Sequence, residues 1–420
     1  LFRSTNVAAD GLSNLCSPGV MGGALIVVGE DYGEGASIIQ ERTLAMAMKS
    51  TIWLMDPRPD LQNIVDMVEH SFEMSEASNS PVMMQLRIRS CHVQGEFIAK
   101  DNVSPDVGTK NKFADPAVFE YDKLAHPPVT FSHEKLKVSA RLPAAQRYIV
   151  EHGLNELIEG EQNSVGIIVQ GGIYNILMRR LHVMGLADAF GNSQIPILVL
   201  NVTHPLVPDQ ITDFCAGKNA VLMVEEGNPE FMEHQVNTML RKADLNTSLH
   251  GKDVLPAAGE YTADVLQEGL VSFLELAMPT GLNKSGIQDL VARSNDARSG
   301  GKISLGQTSP PRPPQFCTGC PERPVFSAIK IIEQEVGKVH ISADIGCHAF
   351  ATFEPFSMGN SILGYGMSLA SAAAVAPFQQ RRSISIMGDG GFWHNGLTSG
   401  VVSTMLNAGD SILIIMQNGY

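Results

Sequence analysis

The residues best placed to do chemistry form the motif Gly388-Asp389-Gly390-Gly391, near the end of the 420-residue chain. The apolar run at 382–387 before the motif is typical of a buried parallel strand. Residues 392–407 have apolar spacing typical of a helix, and 411–416 form a second apolar run. This pattern predicts a strand–helix–strand unit with polar residues at the carboxyl ends of both strands.

Oxygen-bearing groups follow both predicted strands of this unit. Neighbouring parallel strands lie about 4.8 Å apart, so Asp389 and Asn418 are expected at the same sheet edge. With the backbone carbonyl of Tyr420, they supply the oxygen ligands that Mg²⁺ prefers. The glycines allow the backbone to approach phosphate oxygens, and the following helix turns its positive end toward an anion. The stretch therefore predicts a site for a diphosphate and its Mg²⁺, although a Gly-Asp-Gly sequence by itself also fits an ordinary loop turn.

Two histidines are candidates for contact with a bound ligand. His394 lies shortly after Gly390, at the start of the predicted helix, where the helix N-terminus lowers an imidazole pKa and favours the neutral ring. His348 follows a neighbouring predicted strand, 339–345. The alternative for each histidine is a purely structural role.

Three cysteines in the same part of the chain are candidate metal ligands. Cys317 and Cys320 form a Cys-x-x-Cys pair, and Cys347 lies at the end of the strand predicted at 339–345. The three thiolates fit part of an iron–sulfur site, or a Cys₃His zinc site together with His348. A redox dithiol and small packing residues in tight turns are the other interpretations.

Small residues are frequent in the helix predicted at 362–376, which follows Met358-Gly359-Asn360. Small side chains allow close packing, so we expect this helix near a bound ligand or another subunit.

The composition limits the function classes. A net charge of −14 excludes a typical nucleic-acid binder, which carries a basic stripe. No apolar run is long enough to span a bilayer, and no signal-peptide pattern is present at the start. Six cysteines without disulfide-like spacing favour a reducing compartment, so we expect a cytoplasmic protein. The absence of an initiator Met and an end in mid-sheet favour a fragment of a longer subunit.

The first two thirds of the chain predict further parallel α/β units. Apolar runs predict strands at 22–29, 53–57, 81–89, 164–170, 195–202 and 220–225, and helical spacing predicts helices at 37–48, 60–76 and 144–159. Arg87 and Arg89 are expected on one face of the strand predicted at 81–89, and together with His92 they are interpreted as solvated or ion-paired side chains at a strand end. Glu225 and Glu226 are either N-terminal charges of the next helix or acid–base groups. Gly171-Gly172 fits either a tight turn or a phosphate loop.

These motifs together resemble the 2-oxoacid:ferredoxin oxidoreductase superfamily. The segments Cys317-Thr-Gly-Cys-Pro-Glu-Arg323, Asp344-Ile-Gly-Cys347, the Met358-Gly359 helix and Gly388-Asp-Gly followed by Asn418 occur in that family's order. The stretches Asn6-Val-Ala-Ala-Asp10, Gly22 to Asp31 and Gly251 to Glu260 resemble the large (α) subunit of indolepyruvate ferredoxin oxidoreductases. The run Gly35-Ala-Ser-Ile-Ile-Gln40 departs from the family's pattern.

The resemblance implies several parallel-sheet domains. They are the later part of a pyrimidine-binding domain at 1–100, a linker at 101–140, a transketolase C-terminal-like domain at 141–275, a linker at 276–314 and a truncated diphosphate-binding domain at 315–420. The glutamate that activates the cofactor in this family is expected before Leu1. The resemblance also implies that Gly391, Met358, Gly359 and Cys347 lie at the cofactor.

The resemblance further implies an enzyme that oxidatively decarboxylates an aryl pyruvate, most readily indolepyruvate, to CO₂ and the aryl-acetyl-CoA. Its cofactors would be thiamine diphosphate, Mg²⁺ and [4Fe–4S] clusters, with coenzyme A as co-substrate. Its partners would be a smaller (β) subunit and ferredoxin, in a hetero-oligomer with dimerised large subunits, and neither nucleic acid nor a membrane is expected. Two alternatives stay open: a non-oxidative thiamine-diphosphate decarboxylase or carboligase, and a catalytically silent scaffold organised by zinc.

Overall fold

The structure is a computed structural model of the chain. It describes residues 5–6, 8–30, 32, 42–103, 118, 120–279, 281–304, 306 and 315–417. The chain divides into two compact units, Leu1–Gln307 and Thr308–Tyr420, each of which is described by itself.

The first sheet of unit 1 has the order β1-β3-β2-β7. Its strands are β1 (Leu25–Glu30), β2 (Trp53–Met55), β3 (Val82–Arg87) and β7 (Val202–His204). The first three are parallel, whereas β7 pairs antiparallel with β2. The helices that accompany this sheet are α1 (Ala9–Cys16), α2 (Thr43–Ser50), α3 (Leu61–Ser78) and the short α4 (Ile88–Cys91).

Helix α3 has a defined beginning and end. The Asp60 carboxylate accepts a hydrogen bond from the Asn63 N–H at 3.0 Å, which satisfies one of the N–H groups that a helix start leaves unpaired. The helix ends where Asn79 adopts a left-handed conformation, with φ of 49°. Asparagine tolerates that conformation better than most residues.

A helical region connects the two sheets of unit 1. It contains a 3₁₀ turn (Tyr121–Lys123), α5 (Val129–Leu136), a π-helical stretch (Lys137–Arg141) and α6 (Leu142–Glu151). Helix α5 falls inside the stretch predicted as a linker at 101–140.

The second sheet of unit 1 has the order β4-β6-β5-β8-β9. Its strands are β4 (Glu156–Ile158), β5 (Val165–Gln170), β6 (Ile197–Leu200), β8 (Ala220–Val224) and β9 (Ser248–His250). All neighbours are parallel except β4 and β6. Every residue of β5 is buried, as expected for a strand covered on both faces.

Helices pack on both sides of this second sheet. They are α7 (Tyr174–Val183), α8 (Pro208–Cys215), α9 (Phe231–Lys242), α10 (Ala263–Ala277) and α11 (Lys284–Ser304). One apolar core lies beneath α7 and α10, and a second is shared with the first sheet through residues such as Leu54, Met83 and Leu198.

Unit 2 contains a four-stranded, wholly parallel sheet with the order β11-β10-β12-β13. The strands are β10 (Ile341–Ala343), β11 (Ser361–Ile362), β12 (Ile384–Gly388) and β13 (Ile412–Met416). The helices are α12 (Arg323–Val336), α13 (Ser368–Val375), and a continuous helical segment made of α14 (Asp389–Gly391), a π-helical stretch (Phe392–Val401) and α15 (Val402–Leu406). A strand–helix–strand unit therefore surrounds the glycine motif, as predicted.

The predicted α/β class with several parallel sheets is confirmed. Some predicted elements are wrong in extent. The helix predicted at 144–159 ends at Glu151 and is followed by β4, and the helix predicted at 362–376 begins only at Ser368, after β11. The strand predicted at 81–89 ends at Arg87, so Arg89 lies on α4 instead of sharing a strand face with Arg87.

Among the described residues, no helix is both long enough and apolar enough to cross a membrane.

Candidate active site

The carboxyl ends of three strands meet at one edge of the sheet in unit 2. Strand β12 runs parallel to both β10 and β13, and Gly388 pairs in register with Met416. Asp344 follows β10, Asp389 follows β12 and Gln417 follows β13. Asn418 and Tyr420, predicted as Mg²⁺ ligands, lie outside the described residues.

Asp344 joins the loops at this edge. Its side chain is fully buried, and its two carboxylate oxygens accept hydrogen bonds from the N–H groups of Ile345 and Gly366, each at 2.7 Å. A Cβ atom on Gly391 would lie 2.4 Å from Oδ2 of Asp344. The glycine is therefore required for the motif to approach this carboxylate. Asp344 was identified from sequence only as part of a family segment, without a role.

Asp389 lies at the first position of the helical segment and is half-buried. One of its carboxylate oxygens, Oδ1, accepts a hydrogen bond from the N–H of Gly390 at 2.9 Å. A Cβ atom on Gly390 would lie 2.4 Å from the hydroxyl oxygen of Tyr365, so this ring forms one wall of the loop. Burial, then the nearby charges of Asp344 and Asp389, raise the pKa of Tyr365. The phenol thus stays protonated at neutral pH and can act as a hydrogen-bond donor.

His348 lies beneath the start of the glycine motif. It is buried, and a Cβ atom on Gly388 would lie 3.7 Å from its Cε1 atom. Burial lowers the pKa of His348 to about 4, against a smaller raising effect of a hydrogen bond with the Asp344 backbone. The ring is therefore neutral at pH 7. Its Nε2 atom has no hydrogen-bond partner among the described residues, as expected for a side chain that awaits a ligand.

His394 lies on the π-helical stretch, where its ring packs against Tyr365 with 5.1 Å between the ring centroids. The structure therefore brings Asp389, His394 and Tyr365 around one loop. Tyr365 was not predicted, because its position depends on a loop that is distant in sequence.

Met358 and Gly359 lie beside β10. Met358 is buried in the apolar core of unit 2, and its N–H donates to the Ala351 carbonyl at 2.8 Å. Gly359 has a φ of 101°, and its Cβ would lie 3.0 Å from the Thr352 methyl group. The contacts of Met358 are those of a packing residue.

The three candidate cysteines all lie in unit 2 and are free thiols. The Cys320 N–H donates to the Cys317 carbonyl at 3.1 Å, which closes the Cys-x-x-Cys turn. Burial raises the pKa of Cys347, and so do the charges of Glu322, Cys320 and Cys317, in that order. Among the described residues, no set of three potential ligands that includes these cysteines has its donor atoms within 4.8 Å of one another.

The strand-end charges of unit 1 are ion-paired. Arg87 is buried and bridges Asp56 at 2.6 Å and Glu226, and Arg89 contacts Glu226 at 2.6 Å. Glu225 accepts hydrogen bonds from the N–H groups at the start of α9. Arg87 and Arg89 are therefore ion-paired and Glu225 is a helix-terminal charge, as expected, whereas Glu226 is ion-paired instead of helix-terminal. Gly171-Gly172 forms a buried 3₁₀ turn.

The residues present at the sheet edge fit a diphosphate with its Mg²⁺. A carboxylate lies at the start of a helical segment, two glycines leave no room for a Cβ atom, and a neutral imidazole lies beneath the loop. Carboxylate oxygen suits Mg²⁺, and exposed N–H groups with a helix start suit phosphate.

Comparisons with known proteins agree with this site. Residues 344–420 match the family described as thiamine pyrophosphate enzyme, C-terminal TPP binding domain. The chain is 24% identical to the indolepyruvate oxidoreductase subunit IorA of Methanothermobacter thermautotrophicus, over 98% of this chain and 62% of that protein. It is 26% identical to the subunits of the same name from Pyrococcus horikoshii and Thermococcus kodakarensis, again over 98% of this chain and 62% of those proteins. The chain thus spans about 62% of the length of these curated relatives.

Solved structures with partial similarity include two enzymes. One is a 2-oxoglutarate:ferredoxin oxidoreductase from Magnetococcus marinus, with a TM-score of 0.40, 17% identity, and coverage of 63% of this chain and 52% of that chain. The other is a split gene transketolase, with a TM-score of 0.38, 14% identity, and coverage of 65% of this chain and 74% of that chain.

The similarity to the IorA subunits extends over nearly the whole chain, and the match to the thiamine pyrophosphate domain includes the glycine motif. The predicted resemblance is therefore confirmed: the chain is similar to indolepyruvate oxidoreductase subunits over nearly its whole length, and residues 344–420 match a thiamine-pyrophosphate-binding domain.

Proposed function

We propose that the sheet edge of unit 2 binds thiamine diphosphate and Mg²⁺, with Asp389, Asn418 and Tyr420 as metal ligands and the glycines of 388–391 around the phosphates. The observation that carries this proposal is the position of the glycine motif, which joins β12 to a helical segment within the matched domain. Gly391 packs against the buried Asp344, which supports a loop held in one conformation before a ligand arrives. A preformed loop of this kind lowers the entropic cost of binding.

The same proposal assigns roles to the two histidines. His348 is neutral and its Nε2 atom has no partner among the described residues, which supports contact with the cofactor or substrate. His394 packs against Tyr365 close to Asp389, which supports a position beside the reacting group. Met358, Gly359 and Cys347 belong to the proposed cofactor-binding residues, with Met358 packed in the core of unit 2.

We propose further that the chain is the large subunit of an oxidoreductase that oxidatively decarboxylates a 2-oxo acid, with indolepyruvate as the first candidate. Thiamine diphosphate, when bound, supplies the electron sink that loss of CO₂ from a 2-oxo acid requires. Relatives named indolepyruvate oxidoreductase subunits support the substrate class. Coenzyme A as co-substrate, ferredoxin as acceptor, a smaller β subunit, dimerised large subunits and a cytoplasmic location belong to this proposal.

Cys317, Cys320 and Cys347 are the candidate ligands of a [4Fe–4S] cluster. The support is electrostatic: after burial and the charge of Glu322, the charges of Cys320 and Cys317 raise the pKa of Cys347, so the three thiols lie near one another. A bound metal centre would offset this repulsion, because its positive charge stabilises neighbouring thiolates.

The predicted domain limits are also part of the proposal. The division at 315, between a linker and the diphosphate-binding domain, lies close to the boundary between the two units at Gln307 and Thr308. Within unit 1, we propose that the sheet of β1 to β3 belongs to the pyrimidine-binding domain and the sheet of β4 to β9 to the transketolase C-terminal-like domain.

The test is cofactor and metal analysis of the intact protein purified without oxygen. Thiamine diphosphate, Mg, Fe, Zn and acid-labile sulfide are measured per chain, followed by an assay of coenzyme-A-dependent CO₂ release from indolepyruvate with a ferredoxin acceptor. The proposal predicts thiamine diphosphate, Mg, iron and sulfide together with activity. Thiamine diphosphate without iron would favour a non-oxidative decarboxylase or carboligase, and zinc without thiamine diphosphate would favour a scaffold.

A further inference from the structure

A second group of potential metal ligands lies in unit 1, far along the chain from the glycine motif. It consists of His70, Glu73 and His152, whose ligand atoms all lie within 4.8 Å of one another. In the part of the chain that the structure describes, no other three histidine, cysteine or acidic side chains meet this distance. We propose that this group binds a divalent transition-metal ion of the zinc type, and that the ion links helices α3 and α6.

The backbone holds the three residues close together without a metal. His70 and Glu73 are three residues apart on α3, and this spacing places two side chains on one helix face. His152 directly follows the last residue of α6, and its N–H donates to the Tyr148 carbonyl at 3.1 Å. The two helices pack through a shared apolar core that includes Met67, Met74, Ala145, Tyr148 and Ile149. The ligand positions are therefore set by the fold.

The two imidazoles have a separation that suits one ion. Their ring centroids are 5.6 Å apart, with the planes at 61°. Two imidazoles on a tetrahedral zinc ion with the usual bond lengths have ring centres roughly 5 Å apart. Small side-chain rotations are therefore enough to bring both rings onto one ion.

Tyr148 contacts all three ligands and acts as a positioning residue. Its hydroxyl donates to Oε2 of Glu73 at 2.6 Å and lies 3.0 Å from Nδ1 of His70. Its ring stacks on His152, with 4.0 Å between centroids and 23° between planes. A phenol has a single proton, so a hydroxyl that donates to Glu73 accepts from His70. The second ring nitrogen of His70 then carries the lone pair that a metal requires.

The local charge favours a cation. Glu69 lies close enough for its charge to act on Tyr148, and Glu73 adds a further carboxylate, whereas Lys100 is paired with Glu69. The C-terminal end of α6, where His152 lies, carries the negative end of the helix dipole. The site is also accessible, because His152 is exposed and the side chain of Glu73 is 48% exposed.

The donor set identifies the class of ion. Two imidazoles and one carboxylate suit zinc and similar borderline ions, and they leave a fourth position for water. Mg²⁺ and Ca²⁺ are disfavoured, because they prefer a full set of oxygen ligands.

The experiment measures zinc binding to the full chain by calorimetry, with zinc chloride as the only ligand. Cys317, Cys320 and Cys347 are replaced by serine in every sample, because those thiols can also bind zinc. We expect one zinc per chain, an affinity at least 100-fold lower for His152→Ala, and a 10- to 100-fold reduction for Tyr148→Phe, which keeps all three ligands. His234→Ala is the matched control: this exposed histidine pairs with Glu230 at 3.5 Å but belongs to no three-residue group in the described chain.

Thermal unfolding supplies a second readout. Zinc is expected to raise the melting temperature of the parent and of His234→Ala, but not of His152→Ala or Glu73→Gln, since a ligand of the native state stabilises it. Equal zinc affinity in the parent and in both folded variants, His152→Ala and Glu73→Gln, would overturn the proposal. So would the absence of zinc binding by the parent at millimolar concentration.

Discussion

Gly391 illustrates how one residue type determines the geometry of the sheet-edge loop. A Cβ at this position would lie 2.4 Å from a carboxylate oxygen of Asp344, whose side chain is buried and holds two backbone N–H groups. The carboxylate cannot move without losing those bonds. We expect Gly391→Ala to lower the free energy of unfolding of unit 2 by about 1–3 kcal/mol, measured by chemical denaturation.

Gly388→Ala is the matched control in the same motif. Its Cβ would lie 3.7 Å from His348, an ordinary contact, and its φ of −71° suits any residue. A loss below about 1 kcal/mol is expected for this variant. Equal losses for the two variants would contradict the close approach of Gly391 to Asp344.

Glu226 is the centre of the buried ion-pair network of unit 1. It contacts both Arg87 and Arg89, and its side chain is fully buried. Removal of one partner leaves uncompensated buried charge, so we expect Glu226→Gln to destabilise unit 1 by about 3–5 kcal/mol in urea denaturation.

The control for that variant is Glu156→Gln, whose pair with Arg58 is about one third exposed. Solvent screens this pair, and a loss of at most about 1 kcal/mol is expected. A similar cost for both substitutions would mean that burial does not determine the strength of these pairs.

The position of Asp389 after a buried strand was predictable, because an apolar run followed by Gly-Asp-Gly is a local pattern. The roles of Asp344 and Tyr365 were not predicted. Their contacts with the motif depend on three loops that are separate in sequence. A single aspartate at a strand end does not reveal which backbone N–H groups its carboxylate accepts.

Helix α3 depends on Asp60, the residue before its first turn, for part of its stability. The Asp60 side chain accepts the Asn63 N–H at 3.0 Å, and alanine cannot replace that bond. We expect Asp60→Ala to lower the free energy of unfolding by about 1 kcal/mol, and Asp60→Asn to lower it by less, because asparagine is also a good cap. The measurement is urea denaturation of both variants. Unchanged stability of Asp60→Ala would show that the cap bond contributes nothing.

Strands were predicted more accurately than helices. The runs at β5, β8, β12 and β13 are mostly apolar and bounded by turn residues, and each forms the predicted strand; β5 and β8 are buried throughout, whereas β13 is partly exposed. The helix predicted at 144–159 was wrong beyond Glu151, because apolar residues continue into β4 and a short apolar run fits either element. The helix predicted at 362–376 was wrong before Ser368, because the chain there first forms the end of the short strand β11.

The connection between the two sheets of unit 1 was not predictable from sequence. Strand β7 lies among the elements of the second sheet along the chain, but it pairs with β2 of the first. A three-residue strand has no periodicity that distinguishes its partner. The predicted limits 1–100 and 141–275 divide the chain into continuous segments, whereas the first sheet combines strands from both segments.

His204, on β7, makes the stability of unit 1 dependent on pH. Burial lowers its pKa to about 4, from an ordinary value near 6.5. Between these two pH values the unfolded chain binds more protons than the folded chain, so stability is lost as the pH falls. At pH 5 this loss amounts to about 2 kcal/mol relative to neutral pH.

His204→Phe removes the proton-binding group but keeps an aromatic ring next to Trp53, whose centroid is 5.8 Å away. We expect the variant to lose about 2 kcal/mol less than the parent between pH 7 and pH 5. Urea denaturation followed by Trp53 fluorescence, in a Trp393→Phe background, reports on unit 1 alone, because the chain has two tryptophans. Identical pH dependence in parent and variant would contradict a neutral His204 in the folded protein.

At the scale of the whole molecule, we propose a thiamine-diphosphate protein whose cofactor binds at the sheet edge of unit 2. The most direct test is a calorimetric titration of the protein with thiamine diphosphate and Mg²⁺, for the parent, Asp389→Asn and the control Asp410→Asn. Asp410 is an exposed carboxylate that precedes β13 and pairs with Arg382 at 3.2 Å. We expect Asp389→Asn to weaken Mg²⁺-dependent binding roughly 100-fold, or about 2.7 kcal/mol, and Asp410→Asn to leave it unchanged. Equal affinity for the parent and Asp389→Asn would contradict the site.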